Sequence, residues 1–359
     1  METKHNSSEY QRFYSEIIAW YRDNPRDLPW RETKNPYKIW LSEIILQQTR
    51  VAQGLPYYNK FIEAYPTVEK LAIASEEEVL RLWQGLGYYS RARNLHFCAK
   101  QIWFEMDGNF PQSYKELLKL KGVGTYTASA ISSFAFGEVK AVVDGNVFRV
   151  LARYFGIETD IASSKAKVQF EALANEIIPP KTPGEFNQAM MDFGARQCVP
   201  KSPNCSICPL VSNCFAFSKG LINALPVKLK KTKVRERKLH YYVIKCGEQW
   251  VWKKRNSGDI WEGLFDFPLL ENQNPNPYFS EDLKALNLKI DMPPEKEYRH
   301  LLSHQRLLAK FSEIKIPLEN QEKLNYWCDQ KGFMLVKEEE IDYLAKPKLI
   351  LNYLKDQGI

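Results

Sequence analysis

Four of the seven cysteines fall within one stretch of 17 residues, in the pattern Cys198-x6-Cys205-x2-Cys208-x5-Cys214, with Pro200, Pro203 and Pro209 stiffening the chain between them. Four thiolates in one short loop suit either zinc or an iron-sulfur cluster. Structural zinc sites generally pair two close-spaced knuckles. Here only Cys205 and Cys208 form one, and the six- and five-residue gaps leave room to wrap a larger cubane, which favours [4Fe-4S] over zinc. A disulfide framework is not expected of a chain with the marks of an intracellular protein. Cys98, Cys246 and Cys328 stand alone and read as small buried hydrophobes.

The 359 residues exceed what one compact domain needs, and 44% hydrophobic content with 13% aromatics suffices for a real core. Over residues 10–223 apolar residues recur at helical spacing, broken by Pro and Gly signals at Asn35-Pro36, Tyr65-Pro66, Gly156 and Pro179-Pro180. This region is expected to be all-helical. Beyond it the pattern changes to short strands, such as Tyr241-Tyr242-Val243-Ile244, Trp250-Val251-Trp252 and Phe333-Met334-Leu335-Val336, with helical signals near Leu283 and over residues 341–354. A second domain of α+β type follows from that change.

Between the two lies a basic stretch, Lys228, Lys230, Lys231, Lys233, Arg235, Arg237 and Lys238 against the single Glu236, which holds a net +6 of the chain's +7. Such a run is usually a solvated linker, yet it can also lie along phosphates. Charge alone does not establish nucleic-acid binding. The polar N-terminus carries no apolar signal segment and no run of about 18 apolar residues occurs, so a soluble, cytoplasmic protein is expected, without a membrane partner.

Leu117-Leu118-Lys119-Leu120-Lys121-Gly122-Val123-Gly124-Thr125-Tyr126-Thr127-Ala128 reads as a helix, a tight Gly-x-Gly hairpin and a second helix. Gly122, Val123 and Gly124 would offer backbone N–H groups at a helix start, a geometry that receives a phosphate without sequence preference. Twenty residues on, Asp144 follows the apolar run Val142-Val143 and precedes Gly145, a pattern that is also common for a turn or helix cap. Glu43 has Ile39, Trp40, Leu46 and Gln47 as helical neighbours, which puts a carboxyl on a largely apolar face. Desolvation there raises its pKa, so it can stay protonated near neutrality and act as a general acid. Glu43 and Asp144 together make the minimal kit for cleaving a glycosidic bond.

These residues resemble the helix-hairpin-helix superfamily of DNA glycosylases represented by endonuclease III, over residues 10–217. With Leu28-Pro29-Trp30-Arg31, residues 40–49, residues 85–95 and Phe186-Asn187-Gln188-Ala189-Met190-Met191-Asp192, the chain is similar to the adenine DNA glycosylases of the MutY type. The resemblance implies a catalytic region made of a six-helix barrel domain (30–140) with the hairpin, and an iron-sulfur cluster domain (1–29 and 141–225). A basic linker (226–238) and a Nudix-like domain (239–359) that recognises 8-oxoguanine would follow. It implies a monomeric base-excision repair enzyme acting on double-stranded DNA with A:8-oxoguanine or A:G mispairs, nucleoid-associated in a bacterium, with the base flipped into a pocket.

Carried over by resemblance, Glu43 protonates adenine N7 and Asp144 stabilises or traps the C1′ cation, supported by Tyr126 and Asn146. Arg31 and Gln188 line the adenine pocket, and Gln48, Thr49, Leu86 and Tyr88 contact the opposite strand. Strand-cleaving members carry a lysine two residues after the second hairpin glycine. This chain has Tyr126 there, which implies little or no lyase activity. In His300-Leu301-Leu302-Ser303-His304, Ser303 would read the lesion, with Leu302 where the family often has Phe. The second domain, with Asp259-Ile260-Trp261-Glu262-Gly263-Leu264-Phe265-Asp266-Phe267-Pro268, lacks the glutamates that bind Mg²⁺ and is read as a binding module. Two rivals exist. A thymine or oxidised-pyrimidine glycosylase would not predict Glu43 or the second domain, and a non-catalytic lesion binder would not need both Glu43 and Asp144.

Overall fold

In the computed structural model the described residues are 7–229, 234–271 and 295–359. Contacts divide the chain into two units, one of residues 1–72 with 97–230 and one of residues 73–96 with 231–359. The second unit thus includes a short helical piece lying, in sequence, inside the segment 30–140.

The first unit is all-helical among its described residues. Helix α1 is Ser7–Asp23, α2 Pro36–Leu46, α3 Val51–Ala64, α4 Val68–Ile73, α7 Tyr114–Leu117, α8 Thr125–Phe136, α9 Gly145–Phe155, α10 Ser164–Ile177, α11 Pro183–Asp192 and α12 Phe215–Ser218. Helix α2 starts where Asn35 accepts from the N–H groups of Tyr37 and Lys38 and Pro36 supplies a preset first turn. Tyr37 and the unbroken run from Ile39 to Ile45 are buried, Glu43 among them, so this helix is surrounded by protein. Helix α9 is capped by Asp144 at its start and ends at Gly156 in the left-handed region, where a Cβ would come within 2.6 Å of the Phe215 ring. Phe13 and Ile17 of α1 pack with Val150 and Leu151 of α9, Phe170 of α10 and Phe186 of α11 in one core, against which Cys198, Cys208 and Cys214 rest.

The second unit holds α5, Glu76–Leu82, opened by a Ser75/Glu78 capping box, the first turns of α6, Ser90–Lys100, and a mixed sheet. Strand β1 is Arg235–Cys246, β2 Gln249–Lys254, β3 Phe265–Asp266, β4 Leu269–Glu271, β5 Lys296–Leu301, β6 Gln305–Ile316 and β7 Met334–Lys337. The main path runs β3-β2-β1-β6-β5, with β1 and β6 parallel in register from Arg235 opposite Gln305 to Cys246 opposite Ile316. Two helices cover the faces. Leu324 and Trp327 of α13, Gln321–Lys331, pack with Tyr242, Ile244 and Ile314. Tyr353 of α14, Lys348–Asp356, stacks on Phe311 at 4.3 Å and 7°. Burial on both faces explains why β1 reads as a continuous apolar run and not as an alternation.

The strands expected near 241, 250 and 334 are present, and Cys98, Cys246 and Cys328 are buried. The helix signal near Leu283 lies outside the described residues, as do Lys230, Lys231 and Lys233. The basic stretch needs a correction. Arg235, Arg237 and Lys238 belong to β1, and Arg237, only 4% exposed, is bound by Asp259 and Glu271, so its charge is neutralised inside the unit and is not offered to phosphates. No described helix is long and apolar enough to cross a membrane.

Candidate active site

In the first unit α2, α8, α9 and α11 together wall a cavity of about 170 Å³. Seven residues singled out from sequence line it: Arg31, Glu43 and Thr49, Tyr126, and Asp144 with Asn146 and Gln188. Glu43 is 7% exposed. Its burial pushes the carboxyl up to about 7, opposed by a hydrogen bond from Tyr126 and by Arg31, and reinforced by the Asp144 charge. The Tyr126 hydroxyl also lies 3.4 Å from Met191 Sδ, and burial beside Glu43 and Asp144 keeps its proton on far above the usual phenol range.

Asp144 differs in kind. As the α9 cap it accepts from the backbone N–H of Asn146 at 2.9 Å and of Val147 at 2.8 Å, and from Asn146 Nδ2 at 2.8 Å. Burial raises its pKa while these donors and Arg149 hold it down, the net direction being upward. The Asn146 amide is oriented in turn by Arg149, whose Nη2 donates to Asn146 Oδ1 at 2.8 Å and whose Nε donates to the Cys198 carbonyl at 2.8 Å. One carboxyl is thus biased towards the neutral acid and the other is surrounded by donors that favour the anion. That division of roles is what acid-assisted glycosidic cleavage requires.

The cavity's far wall is fixed by a residue to which sequence gave no role. Asp192, 2% exposed, receives both ends of the Arg31 guanidinium at 2.6 and 2.7 Å and Arg26 at 3.1 Å. Gln188 Oε1 accepts from the Tyr21 hydroxyl at 2.9 Å, and Arg31 lies over the Tyr21 ring. The acidic end of the motif ending in Asp192 was visible in sequence, but its partners lie 161 and 166 residues away.

Homology decides among the chemistries this geometry allows. The model for "HhH-GPD superfamily base excision DNA repair protein" matches residues 41–180, and the NUDIX domain model matches residues 240–356. An adenine DNA glycosylase of Buchnera aphidicola subsp. Schizaphis graminum is 36% identical over 88% of this chain and 92% of its own. The chain belongs to the adenine DNA glycosylase family. It is a base-excision repair enzyme, a hydrolase acting on N-glycosyl bonds. The human adenine DNA glycosylase is 44% identical over 58% of this chain and 40% of its own. Among solved structures, a thermostable thymine-DNA glycosylase superposes with TM-score 0.54 at 30% identity, and a trapped endonuclease III–DNA covalent intermediate with 0.53 at 26%, each covering 60% of this chain and nearly all or all of the other.

The remaining residues expected of an adenine DNA glycosylase sit apart from that cavity. At the hairpin Gly122 takes φ +78°, while Gly124 begins α8 with φ −90°, and a Cβ there would touch nothing within 4 Å. Neither space nor backbone requires glycine at 124. Gln48 is exposed at φ +55°. In the second unit Tyr88, 40% exposed, shares a recess of about 450 Å³ with Leu302, Ser303 and His304, whereas Leu86 is buried at 5% and His300 meets the Trp261 ring edge-on. Residues 87–90 and 301–304, distant in sequence, are therefore neighbours.

The four cysteines occupy one loop, through 3-10 turns Cys205–Ile207 and Val211–Asn213. Among the described residues no three His, Cys, Asp or Glu side chains are grouped as a metal ion would need them. The thiols of Cys205, Cys208 and Cys214 are pushed up by burial, Cys208 to about 12, and by Cys198 nearby. Buried Arg153 donates from Nη1 to Cys198 Sγ at 3.4 Å and to the Val199 carbonyl at 2.8 Å. Four soft sulfur donors with an arginine N–H on one of them fit the chemistry of a thiolate-bound iron-sulfur group.

Proposed function

We propose that the substrate is adenine mispaired with 8-oxoguanine or guanine in duplex DNA, and that the chain releases the base without cutting the strand. The observation that carries this reading is the pairing of Glu43, raised to about 7, with the donor-wrapped Asp144 on one cavity. The adenine is flipped into the cavity between Arg31 and Gln188. Glu43 donates its proton to N7 as the C1′–N9 bond lengthens, so the base departs neutral. The Asp144 carboxylate stabilises the cationic C1′ or closes on it briefly, with Asn146 holding the carboxylate and Tyr126 holding Glu43, and water then completes hydrolysis. Tyr126 supplies no amine for a Schiff base, which supports a monofunctional enzyme.

Gly122, Val123 and Gly124 receive a phosphate, and the freedom around Gly124 leaves room for one. A wider recess of about 840 Å³ on the other side of Asp144 and Asn146, edged by Arg149, Lys201 and Lys228, suits the continuing backbone. Gln48, Thr49, Leu86 and Tyr88 serve the opposite strand, Leu86 only after leaving its buried position. Ser303, within His300-Leu301-Leu302-Ser303-His304, reads the 8-oxoguanine edge. Cys198, Cys205, Cys208 and Cys214 hold a [4Fe-4S] cluster, which when bound gives their loop a rigid centre.

A glycosylase assay on A:8-oxoguanine, A:G and T:G duplexes, with and without alkali, tests the substrate. Release from the first two, with strand breaks only after alkali, is expected. Equal release of thymine from T:G would overturn it. Either Glu43→Gln or Asp144→Asn should abolish adenine release while leaving duplex binding largely intact.

A further inference from the structure

Behind Tyr88 lies Arg91, a residue of the 85–95 segment to which the proposed chemistry gives no role. Gly85, Gly87 and Tyr88 all take positive φ, +94°, +81° and +51°. Glycine adopts such angles freely, but a tyrosine held there is strained and persists only where its surroundings over-determine it. The surroundings here are a single cluster. Trp83, fully buried, donates from Nε1 to the Gly87 carbonyl at 2.9 Å, and Arg91 donates from Nη2 to the same carbonyl at 3.3 Å. The Arg91 guanidinium lies 5.2 Å from the Trp83 ring centroid and 5.4 Å from that of Tyr88, and its backbone N–H closes on the Tyr88 carbonyl at 2.9 Å. Gly85 N–H donates to the Tyr89 hydroxyl at 3.1 Å and so ties the other side of the loop. Arg91 is 9% exposed while Tyr88 keeps 40%.

A planar cation between two rings, one buried and one presented outward, fixes the outer ring by stacking. We propose that Arg91 is a positioning residue for mispair recognition: it holds the Tyr88 ring in its strained, outward pose, so that insertion beside the mispair requires no reordering of the loop. This rests on the reading of Tyr88 as a residue that enters the base stack. A preformed ring lowers the ordering cost of binding, and the benefit is confined to DNA that admits the ring. Arg91 therefore governs the preference for mispaired over matched duplex, through Tyr88.

The test is a double-mutant cycle in the full chain, with Arg91→Gln, Tyr88→Ala and the pair. Kd is measured for duplexes carrying uncleavable 2′-fluoro-2′-deoxyadenosine opposite 8-oxoguanine or opposite thymine, and the preference, Kd opposite thymine divided by Kd opposite 8-oxoguanine, is the ratio read. Arg91→Gln is expected to lower that ratio about tenfold when Tyr88 is present and less than about twofold when it is not, the size expected of a desolvated cation–π contact. A general loss of folding would raise both dissociation constants alike and leave their ratio and its additivity unmoved, which would overturn the proposal. Additive losses would overturn it as well, leaving Tyr88 insertion standing. If Tyr88→Ala alone leaves the ratio unchanged, the insertion reading fails and the proposal falls with it. Arg91→Lys, which keeps the charge but not the plane, should retain part of the ratio.

Discussion

Arg149 donates to the side-chain oxygen of Asn146 at 2.8 Å, and so decides that the Asn146 amide turns its nitrogen, not its oxygen, towards Asp144. Without that partner the amide can flip and set an acceptor against the carboxylate. Arg149→Ala is expected to slow single-turnover adenine release by roughly thirtyfold, about 2 kcal/mol in the barrier, as loss of a charge-assisted contact would. Rates normalised to the DNA-binding fraction are the check. An unchanged rate would show that Asn146 keeps its orientation unaided.

Glu43 sets the alkaline side of the reaction. Protonated, it can donate; ionised, it cannot, so release should fall about tenfold per pH unit above about 7. The acidic limb belongs to Asp144, which burial raises from its ordinary value against the pull of its donors. Stability follows the same shift. A carboxyl whose pKa is raised by folding leaves stability intact below 4.5 and lowers it as pH rises from there to about 7. Glu43→Gln should therefore melt higher than the parent chain at pH 8, by an amount on the order of 3 kcal/mol at most, while pH 4 should show little difference.

Tyr126 lowers the Glu43 pKa through its hydrogen bond. In Tyr126→Phe the alkaline limb of the rate profile should move to higher pH. Tyr126→Lys places an amine beside the site of the C1′ cation, and borohydride should then trap a protein–DNA adduct that the parent does not form.

Gly124 offers a separation of fold from binding. A methyl group at this position meets no protein atom and the backbone is ordinary for any residue. Gly124→Ala is expected to leave the melting temperature unchanged and to weaken duplex Kd about tenfold, a loss of about 1.4 kcal/mol. Unaltered Kd would remove the hairpin from the phosphate-binding surface.

The two carboxylates that share the cavity were legible because each sits in a local pattern. Glu43 interrupts an apolar helical run, and Asp144 follows an apolar segment at a helix start, patterns that survive without tertiary information. What fixes their neighbours was not legible. Arg31 and Arg26 reach Asp192 across more than 160 residues, and periodicity carries no record of such pairings. The same limit explains Arg237, whose seven-residue basic company suggested a solvated run until strand pairing set it against Asp259 and Glu271. Residues 87–90 and 301–304 likewise share a recess that only the tertiary fold could bring about.

The bidentate grip of Asp192 on Arg31 has a consequence for selectivity. With both terminal nitrogens of the guanidinium engaged, that wall of the proposed adenine pocket is a cast and not a hand. It cannot remodel itself around a misfitting purine or pyrimidine, so a wrong base meets a fixed contour and a fixed polarity, and rejection costs the protein no rearrangement. The ordering of that arginine was settled when the chain folded, which, under the proposed base-flipping mechanism, leaves the energy of gripping DNA available for extracting the base from its stack.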